Sequence, residues 1–310
     1  MNKKIGYTLL SVLIAFLYLC WSAYFLCGVE VKGDTFQYFL NFKNINHDLF
    51  PYGVEFLVPF VMKLVELSGG GFYVFLLISI WLWTPLIYIF SYRMCNNVLY
   101  FPIVVFFFSS VFLLNAVFLV RQYYAALFFI FYALSFKNRL KYIFCFFGLF
   151  SQLSSLIWFA LVYRRLRFVF DNKLMLFSLL VIVIAFNLSG GVVNLSEISK
   201  IIMEYNIPDV IKRKLGYYIV NDTSSHISVL SLLLVYLMLF YSFFLLQMNI
   251  VSDKGRVISF FVFMSSFLFL LFWFNNVPAT RLGFFSYYFY IPCATLLIIL
   301  HLHYKNPLNL

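Results

Sequence analysis

Two arginines interrupt the long apolar runs of this 310-residue chain, and each has very little polar sequence around it. Arg121 is followed by Gln122, and Arg281 ends a short polar turn between two further apolar runs. An ionisable group at bilayer depth costs at least about 2 to 3 kcal/mol, so it needs a partner or a task. Because the planar guanidinium matches phosphate and carboxylate oxygens, we expect both arginines to hold an anion. The alternatives are an ion pair of Arg121 with Asp34 or Glu55 and, for the second arginine, a side chain that only reaches for water.

Two carboxylates lie in the first long polar segment, where they can meet the hydroxyl groups of a sugar. Asp34 and Tyr38 share a short polar stretch, and Glu55 follows a Pro-Tyr-Gly turn at the start of an amphipathic segment. Either carboxylate can orient a hydroxyl group or accept its proton during an attack. The alternatives are that Asp34 caps a short helix and that Glu55 pairs with Lys63 or with water.

Three further polar residues are candidates for substrate contacts. Lys212 and Arg213 belong to a basic trio in the segment 190–225, where they can attract lipid phosphates or an anionic glycan. A solvated loop helix is the alternative at these two residues. Gln152 lies beside serines in an apolar stretch, where an unpaired polar group is costly, so we expect it to bond between helices or to line a cavity.

The composition indicates what kind of scaffold positions these residues. Hydrophobic residues make up 64% of the chain and charged residues only 11%, whereas soluble domains carry about 25% charged residues. Such a surface suits hydrocarbon, and long apolar runs within it favour helices. We therefore predict an all-α fold: a polytopic integral membrane helical bundle of about eight transmembrane helices, with re-entrant and interfacial segments.

The charge and cysteine patterns argue against two classes of ligand. The net charge is +11, but the basic residues cluster in short groups between apolar runs, as orientation signals do. We therefore expect no nucleic-acid partner. The five cysteines and four histidines are dispersed without metal-ligand spacing, so we expect no metal and no cofactor.

Apolar runs of about 20 residues, the length that crosses a hydrocarbon core of ~30 Å, predict the spans. They cover residues 7–27, 72–92, 98–120, 122–136, 174–189, 226–247, 257–274 and 282–302. The distribution of Lys and Arg places both termini in the cytoplasm and predicts three outer segments: 28–71, 190–225 and 275–281. The turn at Arg121 and Gln122 is a fourth outer point. We treat residues 1–310 as a single transmembrane domain, with 52–67 as an interfacial helix because that segment is apolar but carries charges.

One apolar stretch, residues 142–163, does not fit a simple crossing. Dense basic groups flank it at both ends, and a straight span would put them on opposite sides of the membrane. Its polar centre, Ser151 to Ser155, predicts a re-entrant or broken hairpin that enters and leaves from the cytoplasm. A single full span with one basic group outside is the alternative.

The order of these features resembles the EpsG family of bacterial exopolysaccharide polymerases over about residues 33–163. The run from Val120 to Ala125 resembles the Arg-Gln-x-x-Ala motif of that family, and it contains the Arg-Gln pair described above. The family commonly has histidine where this chain has Gln152, and an amide cannot act as a general base. Three outer-loop residues also match family positions: Asp34, Tyr38 and Glu55.

The resemblance implies an enzyme of the bacterial inner membrane, related in role to the Wzy O-antigen polymerases. Such an enzyme transfers a growing glycan from undecaprenyl pyrophosphate to a lipid-linked repeat unit at the outer face. The implied partners are this lipid-linked glycan, the bilayer and a chain-length regulator protein. Arg121 and Arg281 would then hold the pyrophosphate without a metal, and Glu55 or Asp34 would orient or deprotonate the acceptor hydroxyl.

Two other functions fit a protein of this composition. A lipid-linked oligosaccharide flippase or other transporter is one, although transporters usually show repeat-related halves and none are visible here. The proposed hairpin keeps transport open. A different membrane glycosyltransferase or an acyltransferase acting on the same glycans is the other.

Overall fold

The computed structural model describes residues 3–135, 138–162, 172–189, 200, 203–205, 228–248 and 253–305. Every regular element within these ranges is a helix, which confirms the predicted all-α class. The chain forms two compact units, Met1–Phe159 and Ala160–Leu310. That the whole chain acts as a single transmembrane domain stays a prediction.

The first unit carries the candidate residues Asp34, Glu55 and Arg121. Its helices are α1 (Lys3–Leu26), α2 (Asp34–Lys43), α3 (Leu57–Leu67), α4 (Phe72–Trp81), α5 (Thr84–Asn96), α6 (Phe101–Phe108), α7 (Ser110–Phe118), α8 (Val120–Leu134), α9 (Asn138–Ser151) and the start of α10 (Leu156–Val162). Short 3-10 turns precede α6 and α10: Val98–Tyr100 and Leu153–Ser155.

The second unit begins at Ala160, within α10. Its described helices are α11 (Lys173–Leu188), α12 (Val229–Gln247), α13 (Asp253–Leu271), α14 (Asn276–Leu282), α15 (Phe284–Tyr288) and α16 (Tyr290–Lys305). Serine hydroxyl groups join α13 to α15, since Ser266 and Ser286 share a hydrogen bond of 2.9 Å and Ser265 accepts one from the N–H of Ser286 at 3.2 Å. Gly283 lies against Phe269 so closely that an added Cβ would meet its Cα at 2.9 Å.

The described helices include several with the length and composition of membrane spans. Three of them are long and apolar enough to cross a bilayer: Lys3–Leu26, Phe72–Asn96 and Val229–Gln247. A fourth arises if Val98–Phe108 and Ser110–Phe118, which meet at 52°, form one bent span. The other segments predicted as spans carry shorter apolar helices, so a polytopic helical membrane protein is confirmed.

Ser109 bends the third predicted span. Its backbone is extended, and its hydroxyl accepts a hydrogen bond from the N–H of Phe112 at 3.2 Å, as in a helix N-cap. At the same break, the carbonyl of Phe108 accepts a hydrogen bond from the indole N–H of Trp21 at 2.9 Å. The bend is therefore hydrogen-bonded to α1. The backbone groups that lose their helical hydrogen bonds at the break still have polar partners.

A buried aromatic cluster fixes the first turn of α8. The ring of Phe112 lies 5.1 Å from that of Trp83 and 5.4 Å from that of Tyr123, and Trp83 and Tyr123 are 5.8 Å apart. These offset and edge-on contacts join α7 and α8 to the Trp83 segment between α4 and α5. Tyr123 is two residues beyond Arg121, so the cluster also positions that arginine.

Helix α3 is too short to cross the membrane. Its 11 residues span about 16 Å, roughly half of the hydrocarbon thickness. One face is buried and includes Val58 and Met62, whereas Phe60 and Leu67 on the other face are more than half exposed. The geometry fits the predicted interfacial helix.

The polar break predicted in residues 142–163 is present at Gln152, whose extended backbone separates α9 from the next turn. Beyond it the chain turns back. The Phe159 ring lies 5.2 Å from that of Tyr132 near the far end of α8, and an added Cβ at Gly148 would meet the Phe159 ring at 2.5 Å. In an unbroken helix, positions 148 and 159 would be about 16 Å apart. The reversal is what a hairpin requires, and its cytoplasmic exit stays a prediction because residues 163–171 lie outside the described ranges.

Candidate functional site

The centre of the candidate site is an ion pair between Glu55 and Arg121. Glu55 lies two residues before α3, and Arg121 is the second residue of α8. Nη1 of Arg121 is 2.5 Å from Oε2 of Glu55, with the Glu55 side chain only 2% exposed and the Arg121 side chain 23% exposed. The pairing of Arg121 with Glu55, one of the alternatives that the sequence left open, is therefore formed. Each charge compensates the other in a place where an isolated ion would cost several kcal/mol.

The second oxygen of Glu55 binds the break after α9. Oε1 accepts a hydrogen bond from the backbone N–H of Leu153 at 3.0 Å. The first N–H groups of a helical turn lack partners within the helix, and Gln152 provides no side-chain cap there. Glu55 therefore joins the segment before α3, the start of α8 and the polar break into one site.

Aromatic side chains cover the guanidinium of Arg121. Its Cζ lies 4.0 Å from the ring centroid of Tyr52, and Tyr38, which is buried, also interacts with the guanidinium. Tyr38 packs edge-on against Tyr52 at 6.0 Å, and Nδ2 of Asn41 donates a hydrogen bond to the Tyr52 hydroxyl at 2.6 Å. Burial raises the pKa of Tyr52 above its usual range, so this hydroxyl is neutral at physiological pH. Ring, hydroxyl and carboxylate together hold the guanidinium in one orientation.

Asp34 lies at the edge of this arrangement. It is the exposed first residue of α2, and no side-chain hydrogen bond caps that helix, so the capping role considered from the sequence is not formed. Asp34 is close enough to Tyr52 to influence it electrostatically. Its carboxylate is therefore exposed to solvent near Tyr52, the ring that covers Arg121.

Unsatisfied polar atoms surround the ion pair. Within the described part of the chain, Nε of Arg121 and Oγ of Ser154 are buried and have no hydrogen-bond partner. Gln122 and Gln152 are also buried, at 7% and 5% exposed. Buried polar atoms in proteins nearly always have partners, so these atoms are suited to a ligand that brings oxygen atoms.

The remaining predicted residues lie elsewhere or cannot be placed. Arg281 is in the last turn of α14, in the second unit, and is partly exposed. Lys212 and Arg213 lie outside the described residues. The structure thus brings Asp34, Tyr38, Glu55 and the Arg121 turn together, whereas the roles expected for Arg281, Lys212 and Arg213 stay predictions.

Several members of the site were not predicted from the sequence. Tyr52, Asn41 and the N–H of Leu153 were not among the candidates. The position of Tyr52 in a Pro-Tyr-Gly turn just before Glu55 is the one local signal. The others depend on contacts between distant segments.

This arrangement can bind an oxyanion more readily than a metal. Among the residues that the structure describes, no group of three or more His, Cys, Asp or Glu side chains could hold a metal ion. Arg121 keeps part of its side chain exposed, and it lies at the N-terminus of α8, where the helix dipole adds positive potential. A phosphate oxygen suits both features.

The fold and the site together define a class of protein. It is a polytopic helical membrane protein in which an arginine at the start of a helix is covered by aromatic side chains. The EpsG family model matches residues 9–308, nearly the whole chain. The chain therefore belongs to the EpsG family and is a membrane protein of the polysaccharide-polymerase type. No curated protein and no solved structure shows significant similarity to it.

Proposed function

We propose that this protein is a glycosyltransferase-type polymerase of the bacterial inner (plasma) membrane. It transfers a growing glycan from undecaprenyl pyrophosphate to a lipid-linked repeat unit of an O-antigen, a capsule or an exopolysaccharide. The observation that carries the proposal is the paired and covered Arg121, with an unpartnered buried Nε and a partly exposed side chain. Membership of the EpsG family supports the general reaction.

The reaction exchanges one bond at the anomeric carbon for another. The hydroxyl oxygen of the acceptor sugar forms a bond to the anomeric carbon of the growing glycan, and the bond from that carbon to the pyrophosphate oxygen breaks. The leaving group takes the bonding electrons, and its negative charge is stabilised by Arg121. The hydroxyl proton goes to a carboxylate and then to water.

The geometry favours Asp34 over Glu55 as the carboxylate that meets the acceptor. Both oxygens of Glu55 already accept hydrogen bonds, one from Arg121 and one from Leu153, and the side chain is 2% exposed. Asp34 is exposed. We assign acceptor contact to Asp34 and the positioning of Arg121 to Glu55.

The other candidate residues have supporting roles in this proposal. Gln122, Gln152 and Tyr38 complete the polar wall around Arg121, and Lys212 with Arg213 attracts the anionic substrate from the bilayer surface. A chain-length regulator protein is the proposed protein partner.

The test is complementation of a gene deletion in the host, with surface polysaccharide separated on gels. We expect the deletion to leave single repeat units where long ladders stood, and the wild-type gene to restore the ladders. Arg121→Lys keeps the charge but loses the planar fork, so we expect it to lower polymer yield at least about tenfold at equal expression. Arg93→Lys is the matched control, because Arg93 also lies over an aromatic ring, that of Tyr100 at 5.9 Å, but away from the site.

Two results would overturn the proposal. Full ladders from Arg121→Ala at wild-type expression would remove Arg121 from pyrophosphate binding. Accumulation of complete repeat units on the inner leaflet of the deletion strain would show a flippase instead of a polymerase.

A further inference from the structure

An open groove of about 590 Å³ lies between the end of α1 and the end of α7 in the first unit. Its walls include Trp21, Tyr24 and Phe25 from α1 and Phe118 from α7, and Glu30 and Lys32 also line it. Ligand sites in proteins commonly measure about 300 to 1,000 Å³, so the groove has room for more than one sugar ring.

Two aromatic rings in the groove form an exposed platform. Trp21 is 39% exposed and Tyr24 is 74% exposed, and their ring centroids are 5.9 Å apart with planes tilted by 31°. The indole N–H of Trp21 is held by the carbonyl of Phe108 at the bend between α6 and α7. The ring of Trp21 is therefore fixed before any ligand arrives, which lowers the entropy cost of binding.

Charged groups in the groove distinguish between a sugar and a lipid tail. Glu30 and Lys32 form an ion pair of 3.1 Å in which the side chains are 78% and 71% exposed. A pair this exposed has little net stability, so both groups are available to a ligand. Sugars present apolar C–H faces for aromatic rings and hydroxyl groups for charged side chains, whereas an isoprenoid tail offers nothing to the charges.

The groove also lies close to the proposed reaction centre. Phe118 in its wall precedes Arg121 by three residues, so their Cα atoms are at most about 11 Å apart. The wall of the groove and the proposed reaction centre are therefore neighbours within the first unit.

We infer that this groove, defined by Trp21, Tyr24, Glu30, Lys32 and Phe118, is a saccharide-binding subsite that holds several sugars of the growing glycan beside the reaction centre. The inference rests on the proposed function for its substrate. The end of α1 lies outside the sequence motif of the family. The inference assigns it a role of its own, which is to retain the growing glycan between successive additions.

The first test measures binding independently of catalysis. The probe is a set of oligosaccharides released from the host's own surface polysaccharide, and the protein is the full chain in nanodiscs. In saturation-transfer NMR, we expect Tyr24→Ala to raise the dissociation constant about tenfold, equivalent to about 1.4 kcal/mol. Tyr24→Phe keeps the ring and should bind within about twofold of wild type, and Tyr73→Ala removes a tyrosine that is 51% exposed outside the groove and should have no effect.

A second readout uses the exposed thiol of Cys27, which also lines the groove. We expect the same oligosaccharides to slow the reaction of Cys27 with a charged maleimide at least threefold, measured on the Cys27 peptide by mass spectrometry, and Cys27→Ser should remove that modified peptide. Unchanged labelling at saturating oligosaccharide would overturn the assignment of the groove.

The outcomes separate the groove from the polymerase assignment. If Tyr24→Ala binds oligosaccharides as the wild type does while Arg121→Lys abolishes ladders, the groove inference is wrong and the polymerase stands. If Tyr24→Ala weakens binding while Arg121→Ala keeps full ladders, the groove is a saccharide site and the proposed role of Arg121 is wrong. With both correct, Tyr24→Ala shortens the ladders in cells and Tyr24→Phe restores their length.

Discussion

Glu55 has more partners in this site than a simple counter-ion does. One oxygen binds the guanidinium of Arg121 and the other binds the N–H of Leu153, so both oxygens of the carboxylate have a partner. A buried charge pair adds little net stability compared with apolar residues, but removing one member leaves the other uncompensated. Glu55 is therefore expected to matter for stability as well as for activity.

We predict that Glu55→Gln lowers the free energy of unfolding by roughly 2 to 3 kcal/mol, less than for a fully buried pair because Arg121 is partly exposed. The measurement is an unfolding titration of the purified protein in detergent. Glu66→Gln is the matched control, since Glu66 pairs with Lys63 at a more exposed position, and we expect no measurable shift. Equal effects of the two substitutions would contradict the structural role of Glu55.

The aromatic cover of Arg121 leads to a second prediction at the residue scale. Tyr52→Phe keeps the ring over the guanidinium and loses only the hydrogen bond from Asn41, so we expect at least half of wild-type polymer yield. Tyr52→Ala removes the cation–π contact, which is worth about 0.5 to 2 kcal/mol, and should lower the yield several-fold. Gel densitometry of the ladders at matched expression provides the measurement, and equal yields from the two variants would show that the ring is dispensable.

Breaks in the helices explain how polar residues reach the site. Ser109 bends one predicted span, and Gln152 divides the predicted hairpin. In both places a side chain from a distant segment binds the backbone: Trp21 at the first break and Glu55 at the second. Backbone groups at membrane depth require such partners because no bulk water is present. The breaks are thus part of the site architecture, and each one ties two helices together.

Close packing in the second unit leads to a prediction at the scale of elements. A Cβ at position 283 would lie 2.9 Å from the Cα of Phe269 and 3.0 Å from the carbonyl oxygen of Ala279, both backbone atoms that cannot move independently. We predict that Gly283→Ala destabilises the protein by roughly 1 to 3 kcal/mol, as overpacking does. Gly71→Ala meets no atom within 4 Å and is the control. The measurement is the melting temperature of each variant in detergent. A wild-type melting temperature for Gly283→Ala would show that α13 and α15 can separate to make room for the added methyl group.

At the scale of the whole molecule, the orientation in the bilayer decides on which face the site works. The ends of α1, α7 and α3 and the starts of α2 and α8 all belong to segments that the positive-inside pattern assigns to the outside. Two native cysteines test this orientation. Cys27 follows α1, and Cys95 lies at the opposite end of the next predicted span.

We predict that a membrane-impermeant maleimide labels Cys27 in intact cells and labels Cys95 only after permeabilisation. Mass spectrometry of the modified peptides provides the measurement, with the Cys27→Ser variant as the control. The reverse pattern would place the Glu55–Arg121 pair on the cytoplasmic face and would exclude polymerisation at the outer one.

The sequence predicted the fold class, and it singled out Glu55 and Arg121 as candidates, because both inferences depend on local information. Apolar runs interrupted by isolated charges indicate spans, and an arginine between two such runs stands out without any knowledge of contacts. The partner of Arg121 was left between Asp34 and Glu55, since the choice depends on how the segment before α3 packs. The covering ring of Tyr52 and the N–H of Leu153 could not be predicted, because ring geometry and backbone donors leave no mark in residue types. Lys212 and Arg213 were predicted from charge alone, and the described structure does not include them.

Glu55 and the two groups that it binds leave the ribosome at very different times. Arg121 follows Glu55 by 66 residues, and Leu153 follows it by 98. At a synthesis rate of roughly 5 to 20 residues per second, the carboxylate waits about 3 to 13 seconds for its arginine. During that interval the nascent chain holds an uncompensated acid beside the bilayer, so insertion of α8 both neutralises the carboxylate and completes the ion pair. A chain truncated by a premature stop before residue 121 therefore presents an exposed acidic segment that membrane quality-control proteases can recognise.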